Sequence, residues 1–330
     1  MKQLLLLSAL LTSLLSFGQK ARDYKIAKSY PIASTGGWDY IALHDGKLYV
    51  SHATQVNILD EYSGDSVGVI PNTSGVHGIA FNDALNTGYT SNGRSNNVTV
   101  FDLKSREIIT QIATGENPDA IMYEPYTKAI ITCNGRSKNL TCIDPASNQV
   151  TATIDIGGKP ETAVSDGAGM LFVNVEDKNE IVAVDLKSHT VKAHWELGGA
   201  EGPTGLSYDK TTKRLFAGCD KLLVVMDASN GKVIRKLPIG EGCDGVAFSG
   251  RDQIIYTSNG GDGTMTAVRE DKGDKYTVLG NYPTKRGGRT ITIDDKDSTI
   301  FIPAAEYEAV PAANGRPRMI PGSFKILVIK

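Results

Sequence analysis

The chain has 330 residues, of which 35 are Lys or Arg and 37 are Asp or Glu, so its formal net charge is −2. The basic residues are scattered, which argues against a broad surface for nucleic acid or anionic lipid. Glycine is abundant, at 35 residues, as a fold with many tight turns requires.

The first segment has the plan of a secretory signal peptide. Lys2 precedes an apolar run at residues 4–17, which is shorter than the roughly 20 apolar residues of a membrane span. The run ends in a small-residue exit at Ser16-Phe17-Gly18. We therefore predict that residues 1–19 are a signal peptide and that residues 20–330 are periplasmic or secreted, with no membrane span.

The remaining chain repeats itself about every 42 residues, the length of one β-propeller blade. Each repeat shows four short runs rich in β-branched residues, which predict strands. In the second repeat we expect strands at residues 78–82, 86–91, 98–102 and 108–113, with a hairpin turn beginning at Asn92. Seven such repeats account for the mature chain. We predict one all-β domain, a seven-bladed β-propeller of four-stranded blades.

The chain ends predict how the ring closes. The last repeat stops at its third strand, residues 325–330, and an unpaired strand precedes the first repeat at residues 23–28. If this N-terminal strand completes the last blade, it covers sheet edges that would otherwise be open.

A short motif recurs at the end of the second strand of a repeat. It reads Tyr49-Val50-Ser51-His52, Tyr89-Thr90-Ser91-Asn92, Ile131-Thr132-Cys133-Asn134 and Tyr256-Thr257-Ser258-Asn259. This motif resembles the Tyr-Val-Thr-Asn signature of the YVTN-repeat propellers, including the exported YncE-like proteins. Repeats four, five and seven depart from it. The resemblance implies the fold over the mature chain, but no activity, since most of that family has none assigned. Related seven-bladed propellers include lactonases and d1-haem-binding domains.

Polar residues recur just before the first strand of each repeat. Since neighbouring strands run antiparallel, these residues share one face of the propeller with the turns after the second strands; we call it the top face. The first strand is innermost, so these side chains should surround the mouth of the central channel. The predicted first ring is Asp39, His77, Asp119, Glu161, Thr204, Asp244 and Arg289. The predicted second ring, at the ends of the second strands, is His52, Asn92, Asn134, Glu176, Cys219, Asn259 and Glu306.

We predict that both rings, apart from Thr204 and Cys219, bind a small molecule, a metal ion or a protein partner at the mouth. The mixture of imidazole and carboxylate suits a divalent metal ion, for which His77, Asp119 and Glu161 are the candidate ligands. The alternative is local turn chemistry, because Asp and Asn before a strand often bond their own turn.

Two function classes follow from these residues. The sequence holds no strong catalytic signature, which favours a binding propeller, predicted to be a monomer that does not bind nucleic acid. The alternative is a metal-dependent lactonase- or lyase-like enzyme using the same mouth. Haem, with His77 or His52 as axial ligand, is a third option.

Two further features are specific to this chain. Repeat seven carries an insertion at residues 305–322, predicted either to cover the mouth as a lid with Arg316 and Arg318 or to protect the closure seam. In an exported protein, Cys133 and Cys142, or Cys219 and Cys243, could form disulfide bridges; the alternative is free thiols.

Overall fold

The structure, a computed structural model, describes residues 22–308 and 318–330. The predicted signal peptide and residues 309–317 of the insertion lie outside the described residues. Within these ranges, no helix is long and apolar enough to cross a membrane.

The described strands form seven antiparallel sheets of four strands each. Each sheet is one blade, and we letter its strands A to D outward from the channel. Blades 1 to 3 contain β2 (Trp38–His44), β3 (Lys47–His52), β4 (Gln55–Asp60), β5 (Ser66–Ile70), β6 (Val76–Asn82), β7 (Thr87–Asn92), β8 (Asn97–Asp102), β9 (Ile108–Ala113), β10 (Pro118–Glu124), β11 (Ala129–Asn134), β12 (Asn139–Asp144) and β13 (Gln149–Asp155).

Blades 4 to 6 continue the same order. They contain β14 (Pro160–Ser165), β15 (Met170–Val175), β16 (Glu180–Asp185), β17 (Thr190–Glu196), β18 (Leu206–Asp209), β19 (Arg214–Cys219), β20 (Leu222–Asp227), β21 (Val233–Pro238), β22 (Cys243–Ser249), β23 (Ile254–Asn259), β24 (Thr264–Asp271) and β25 (Lys275–Pro283). Two short 3-10 helices, Asp83–Leu85 and Glu176–Lys178, lie in connections. The predicted seven-bladed propeller is confirmed.

Blade 7 joins the two ends of the chain. It contains β26 (Thr292–Asp294), β27 (Thr299–Ala304) and β28 (Lys325–Ile329), with β1 (Ile26–Pro31) as its outer strand. Tyr30 pairs with Ile326, and Pro31 pairs with Lys325. The closing strand predicted at residues 23–28 is therefore real but begins three residues later. Tyr24 is instead a buried residue whose ring contacts Tyr256.

The core consists of seven apolar clusters, one at each interface between neighbouring blades. Between blades 3 and 4, for example, Leu140 packs in the same cluster as Leu171 and Val173. The cluster between blades 7 and 1 includes Tyr30 of the closing strand. Strands B and C are buried on both faces because every blade packs against two others, which explains their continuous apolar runs. Burial between blades thus holds the ring in shape.

Candidate functional site

Beta-bulges place most of the first ring at the channel mouth. In five blades the pairing of strands A and B is interrupted at the start of strand A. A bulge leaves residues out of the ladder and changes the direction of their side chains. The residues in these bulges include Asp39, His77, Asp119, Glu161 and Asp244. The other two members of the ring, Thr204 and Arg289, precede β18 and β26.

A histidine and two aspartates from three successive blades meet at the mouth. His77 Nδ1 lies 2.5 Å from Asp39 Oδ2 and 3.9 Å from Asp119 Oδ2. One donor atom from each residue lies within 4.8 Å of the others, and all three side chains are partly buried. Among the described residues, these three form the group of acidic, histidine or cysteine side chains whose donor atoms lie close enough together to hold one metal ion.

Arg289 links this group to the other side of the ring. Its Nη2 lies 3.1 Å from Asp39 Oδ1, and its Nε lies 3.0 Å from Asp244 Oδ2. The hydroxyl of the next residue, Thr290, donates to the backbone carbonyl of Asp39 at 2.7 Å. Asp39 therefore receives contacts from blades 2 and 7 at once, which holds its carboxylate in place.

A second ionic group lies in blade 4. Lys159 Nζ lies 2.7 Å from Glu161 Oε1 and also contacts Glu176. The predicted metal set of His77, Asp119 and Glu161 differs from the observed grouping, because Asp39 joins the histidine and Lys159 holds Glu161. Sequence reasoning missed Lys159, although it precedes Glu161 by only two residues in the chain.

Burial and the crowding of carboxyl groups at the mouth raise the pKa values of two of them, Asp119 and Glu161. Burial, together with nearby Asp39, raises the pKa of Asp119 to about 6. Burial and the charge of Asp119 raise the pKa of Glu161 to about 8, against the opposing effect of Lys159. Burial disfavours the charged form of His77, but Asp39 and Asp119 outweigh it and raise its pKa. Negative charge at the mouth is therefore only partly compensated by the protein itself.

Tyr40 is a buried residue near the carboxylates of the ring, and sequence reasoning missed it as well. With Ile121, Cys133 and Ala163 it lines a cavity of about 90 Å³. Burial and the nearby carboxylates, Asp119 foremost, raise the pKa of Tyr40 well above its ordinary value. Its hydroxyl therefore stays protonated.

Thr204, the uncharged member of the first ring, donates a hydrogen bond from its hydroxyl to the backbone carbonyl of Cys243 at 2.7 Å, so it links two blades.

The asparagines of the predicted second ring do not face the mouth, which corrects the prediction. Asn92 is fully buried, and its Nδ2 donates at 2.8 Å to both Asn97 Oδ1 and Thr99 Oγ1. Thr90 Oγ1 donates in turn to Asn92 Oδ1 at 3.0 Å. The same bonds surround Asn134 and Asn259. These residues bridge strands B and C, as the turn-chemistry alternative proposed, and we leave them out of the candidate site.

His52 and Glu306 also lie apart from the first ring. His52 is fully buried, with Nε2 at 2.8 Å from the Gly36 carbonyl and Nδ1 at 2.5 Å from Ser34 Oγ. Burial lowers its pKa, so neutral His52 donates to the carbonyl and accepts from the hydroxyl. Glu306 accepts a hydrogen bond from Lys325 at 2.9 Å. Of the two remaining members of the second ring, Glu176 contacts Lys159. Cys219 lies in the apolar core.

The described ends of the insertion form a short antiparallel arm. The Glu308 amide donates to the Arg318 carbonyl at 2.8 Å, and Tyr307 pairs with Met319. Arg318 forms an ion pair with Glu308 at 3.4 Å. Arg316 lies outside the described residues, so the predicted lid stays a prediction.

All four cysteines are buried and free. Neither predicted disulfide is present, and the alternative of free thiols holds for both pairs. Cys133 pairs in register with Leu140, and Cys142 pairs with Ile131, so the two thiols are not opposite each other. Burial raises the pKa of each of the four thiols.

Many solved structures share this fold, and two of them illustrate the likeness. A chain of hydrazine synthase from Kuenenia stuttgartiensis aligns with a TM-score of 0.73 and 15% identity, covering 88% of this chain and 97% of its own. The WD40 repeats of RRP9 align with a TM-score of 0.76 and 9% identity, covering 93% and 98%. The chain matches no family model and no curated protein. At these identities the likeness shows the propeller fold alone.

Proposed function

We propose that this protein is an exported propeller that binds a divalent cation at the mouth of its channel. The observation that carries the proposal is the convergence of Asp39, His77 and Asp119, whose donor atoms lie within 4.8 Å of one another. The three ligands come from three different blades, so the closed ring itself sets their spacing.

The donor set indicates which ions fit. One imidazole nitrogen with two carboxylate oxygens suits Zn²⁺ or Mn²⁺ better than Ca²⁺, which prefers oxygen ligands alone. Three protein ligands leave further coordination positions for water or a bound molecule. A cation would also neutralise the carboxylates whose pKa values are raised at this mouth.

Calorimetry with Zn²⁺, Mn²⁺, Ca²⁺ and Mg²⁺ tests the proposal. We expect Zn²⁺ or Mn²⁺ to bind the wild-type protein at one site, and His77→Ala and Asp119→Asn to weaken that binding. The matched control is His194→Ala, since His194 lies on an outer strand and pairs with Glu180. Absence of binding heat from all four ions, or equal weakening by the control, would contradict the proposal.

A metal-dependent hydrolase is the second candidate, and one observation favours it. The carboxylate of Asp39 lies 2.5 Å from His77 Nδ1, an arrangement in which an acid orients a general base. The test is turnover of lactones and cyclic esters by the metal-loaded protein. Hydrolysis that requires metal and is lost in His77→Ala would support the enzyme. Metal binding without turnover would support the binding function instead of the enzyme.

We also propose that the protein belongs with the YVTN-repeat propellers and acts outside the cytoplasm as a monomer. The recurring Tyr-Thr-Ser-Asn motif supports the first point, and the N-terminal apolar run supports the second. Mass spectrometry of the native protein should show a start between Gln19 and Arg22. An intact Met1 would contradict export with cleavage.

A further inference from the structure

A groove between blades 1 and 2 lies on the face opposite the mouth, which we call the bottom face. The turns between strands A and B, and those between strands C and D, share this face because neighbouring strands run antiparallel. The groove has a volume of about 650 Å³, within the usual range for sites that bind small molecules. None of the residues that line it belongs to the two rings predicted at the mouth. The groove is therefore separate from the candidate metal site.

The groove between blades 1 and 2 is larger and carries more positive side chains than two comparable grooves on the bottom face. These have volumes of about 370 Å³ between blades 3 and 4 and about 490 Å³ between blades 4 and 5. Three Lys or Arg side chains line the first groove, whereas one and two line the others. The three are Lys47, Lys104 and Arg106. The feature that distinguishes this groove is therefore its cationic lining.

Arg106 lines the groove without a partner for its charge. It lies in the turn between β8 and β9 of blade 2, and its side chain reaches across to β5 of blade 1. A Cβ atom on Gly68 of β5 would lie 2.6 Å from Arg106 Nη1 and 2.8 Å from its Cδ. Arg106 is partly buried, yet among the described residues its guanidinium has no carboxylate within ion-pair distance and no hydrogen-bond acceptor. Its N–H donors are therefore available to a ligand.

The backbone conformation of Arg106 shows that an arginine is costly at this position. Its φ is 66°, in the left-handed region, and its amide donates to a strand C carbonyl. The corresponding amides in the turns of other blades belong to Gly64, Asn148 and Gly231. Glycine and asparagine tolerate this conformation, whereas an arginine is strained in it. Since such strain often accompanies a functional side chain, the position supports a role for the Arg106 guanidinium.

A buried tyrosine hydroxyl in the same groove also lacks a partner. The strand B motif begins with tyrosine in blades 1, 2 and 6. In blade 2, Tyr89 Oη forms a hydrogen bond with Thr87 Oγ1 at 2.7 Å. In blade 6, Tyr256 Oη forms one with Tyr24 Oη at 2.8 Å. Tyr49 of blade 1 is only 2% exposed and lines the groove, but its Oη has no hydrogen-bond partner among the described residues. Burying such a hydroxyl is costly unless a ligand or water bonds to it.

The two acidic side chains of the groove already contact other groups. Lys47 Nζ lies 3.3 Å from Asp45 Oδ2, and His44 Nε2 lies 3.0 Å from Asp83 Oδ1. Lys104, in the same turn as the unpaired arginine, has no ion-pair partner among the described residues and adds a second positive charge. The unpaired positive charge of the groove therefore favours a negatively charged ligand.

We propose that this groove binds a small molecule through an oxyanion group, a phosphate or a carboxylate, with Arg106 as its main anchor and Tyr49 as a second donor. A guanidinium donates two parallel hydrogen bonds to either group, which a lysine cannot do. Burial raises the pKa of the Tyr49 hydroxyl, against the opposing effect of Arg106, so the hydroxyl stays protonated and can donate. The inference is independent of the proposed function, because the groove and the mouth lie on opposite faces.

Calorimetry on the metal-free mature protein, with pyrophosphate and citrate as probes, tests the proposal. We expect at least one probe to bind at one site, and the tighter probe assigns the ligand group as phosphate or carboxylate. Arg106→Ala should weaken this binding about tenfold or more, and Tyr49→Phe about threefold. Gly68→Ala should also weaken it, because the added Cβ would displace the guanidinium without changing any charge.

Two control variants carry matched changes elsewhere. Arg235→Ala removes an exposed arginine of β21, and Tyr89→Phe removes the hydroxyl at the same motif position of blade 2. Both should bind the probe as the wild type does, and circular dichroism should show that every variant is folded. Absence of binding heat from both probes would overturn the proposal. So would unchanged binding in Arg106→Ala, or equal weakening by Arg106→Ala and Arg235→Ala, since this would indicate attraction by surface charge alone.

Discussion

The bulged residues at the start of strand A give the mouth its chemistry. His77 and Asp39 belong to different blades, yet among the described residues they form the shortest ionic contact between first-ring side chains. The hydrogen bond and the negative charges nearby outweigh burial, so they raise the pKa of His77. The protonation of the His77 imidazole therefore depends on the Asp39 carboxylate.

We predict that Asp39→Asn lowers the pKa of His77, because it removes a negative charge and a charge-assisted hydrogen bond. The measurement is an NMR titration of the imidazole in metal-free protein. Asp83→Asn, which removes the partner of His44 at another site, is the control and should leave His77 unchanged. An unchanged His77 pKa in Asp39→Asn would show that the pair is not coupled.

Substitution of a buried asparagine should reduce the stability of the fold and leave metal binding at the mouth unchanged. Asn134 Nδ2 donates to Asn139 Oδ1 and Thr141 Oγ1, so Asn134→Ala leaves buried polar groups without a partner. We expect a loss of about 1–3 kcal/mol in the free energy of unfolding. Urea unfolding measures it, and metal binding to the folded variant should equal that of the wild type. Weakened metal binding with full stability would return Asn134 to the candidate site.

At the scale of elements, the turns after strand B shape the mouth. Gly93 and Gly135 follow the buried asparagines of blades 2 and 3. A Cβ atom on Gly93 would lie 2.7 Å from His77 Nε2, whereas a Cβ on Gly135 would have its nearest neighbour, Asn117 Nδ2, at 3.3 Å. Gly93 is therefore needed for space beside the histidine, which ordinary hairpin chemistry does not explain.

We predict that Gly93→Ala displaces the His77 ring and weakens metal binding about tenfold, equivalent to about 1.4 kcal/mol. Gly135→Ala is the matched control, with the same substitution in the same turn of the next blade. Calorimetry with the tightest-binding ion compares the two. Equal affinities in both variants would show that the ring tolerates the added methyl group.

At the scale of the whole molecule, the ring depends on its closing strand. Beta1 pairs with β28 over several residues, and the buried Tyr30 joins the apolar cluster between blades 7 and 1. Without this strand, the edge of blade 7 would expose unpaired backbone groups.

We predict that a mature chain lacking residues 20–33 unfolds at a markedly lower temperature than the full mature chain. A chain lacking only residues 20–22 is the control, because Arg22 contributes a surface ion pair with Asp252, which is worth little. Differential scanning calorimetry compares the three. Equal unfolding temperatures would contradict closure by this strand.

Sequence alone determined the repeat, the four strands of each blade, the closure by the N-terminal strand and the face on which the polar ring lies. These properties follow from local periodicity, since strand length and turn residues recur within every repeat. It also singled out Asp39, His77 and Asp119 individually as candidate site residues.

Tertiary structure decided which of these side chains meet and which turn inward. Asn92 and Arg289 both occupy recurring polar positions, yet one is bonded within its hairpin and the other bridges Asp39 and Asp244. The bulges set the direction of the ring side chains, and packing between blades sets the distances across the mouth. Repeat spacing cannot encode such contacts, because they join different repeats.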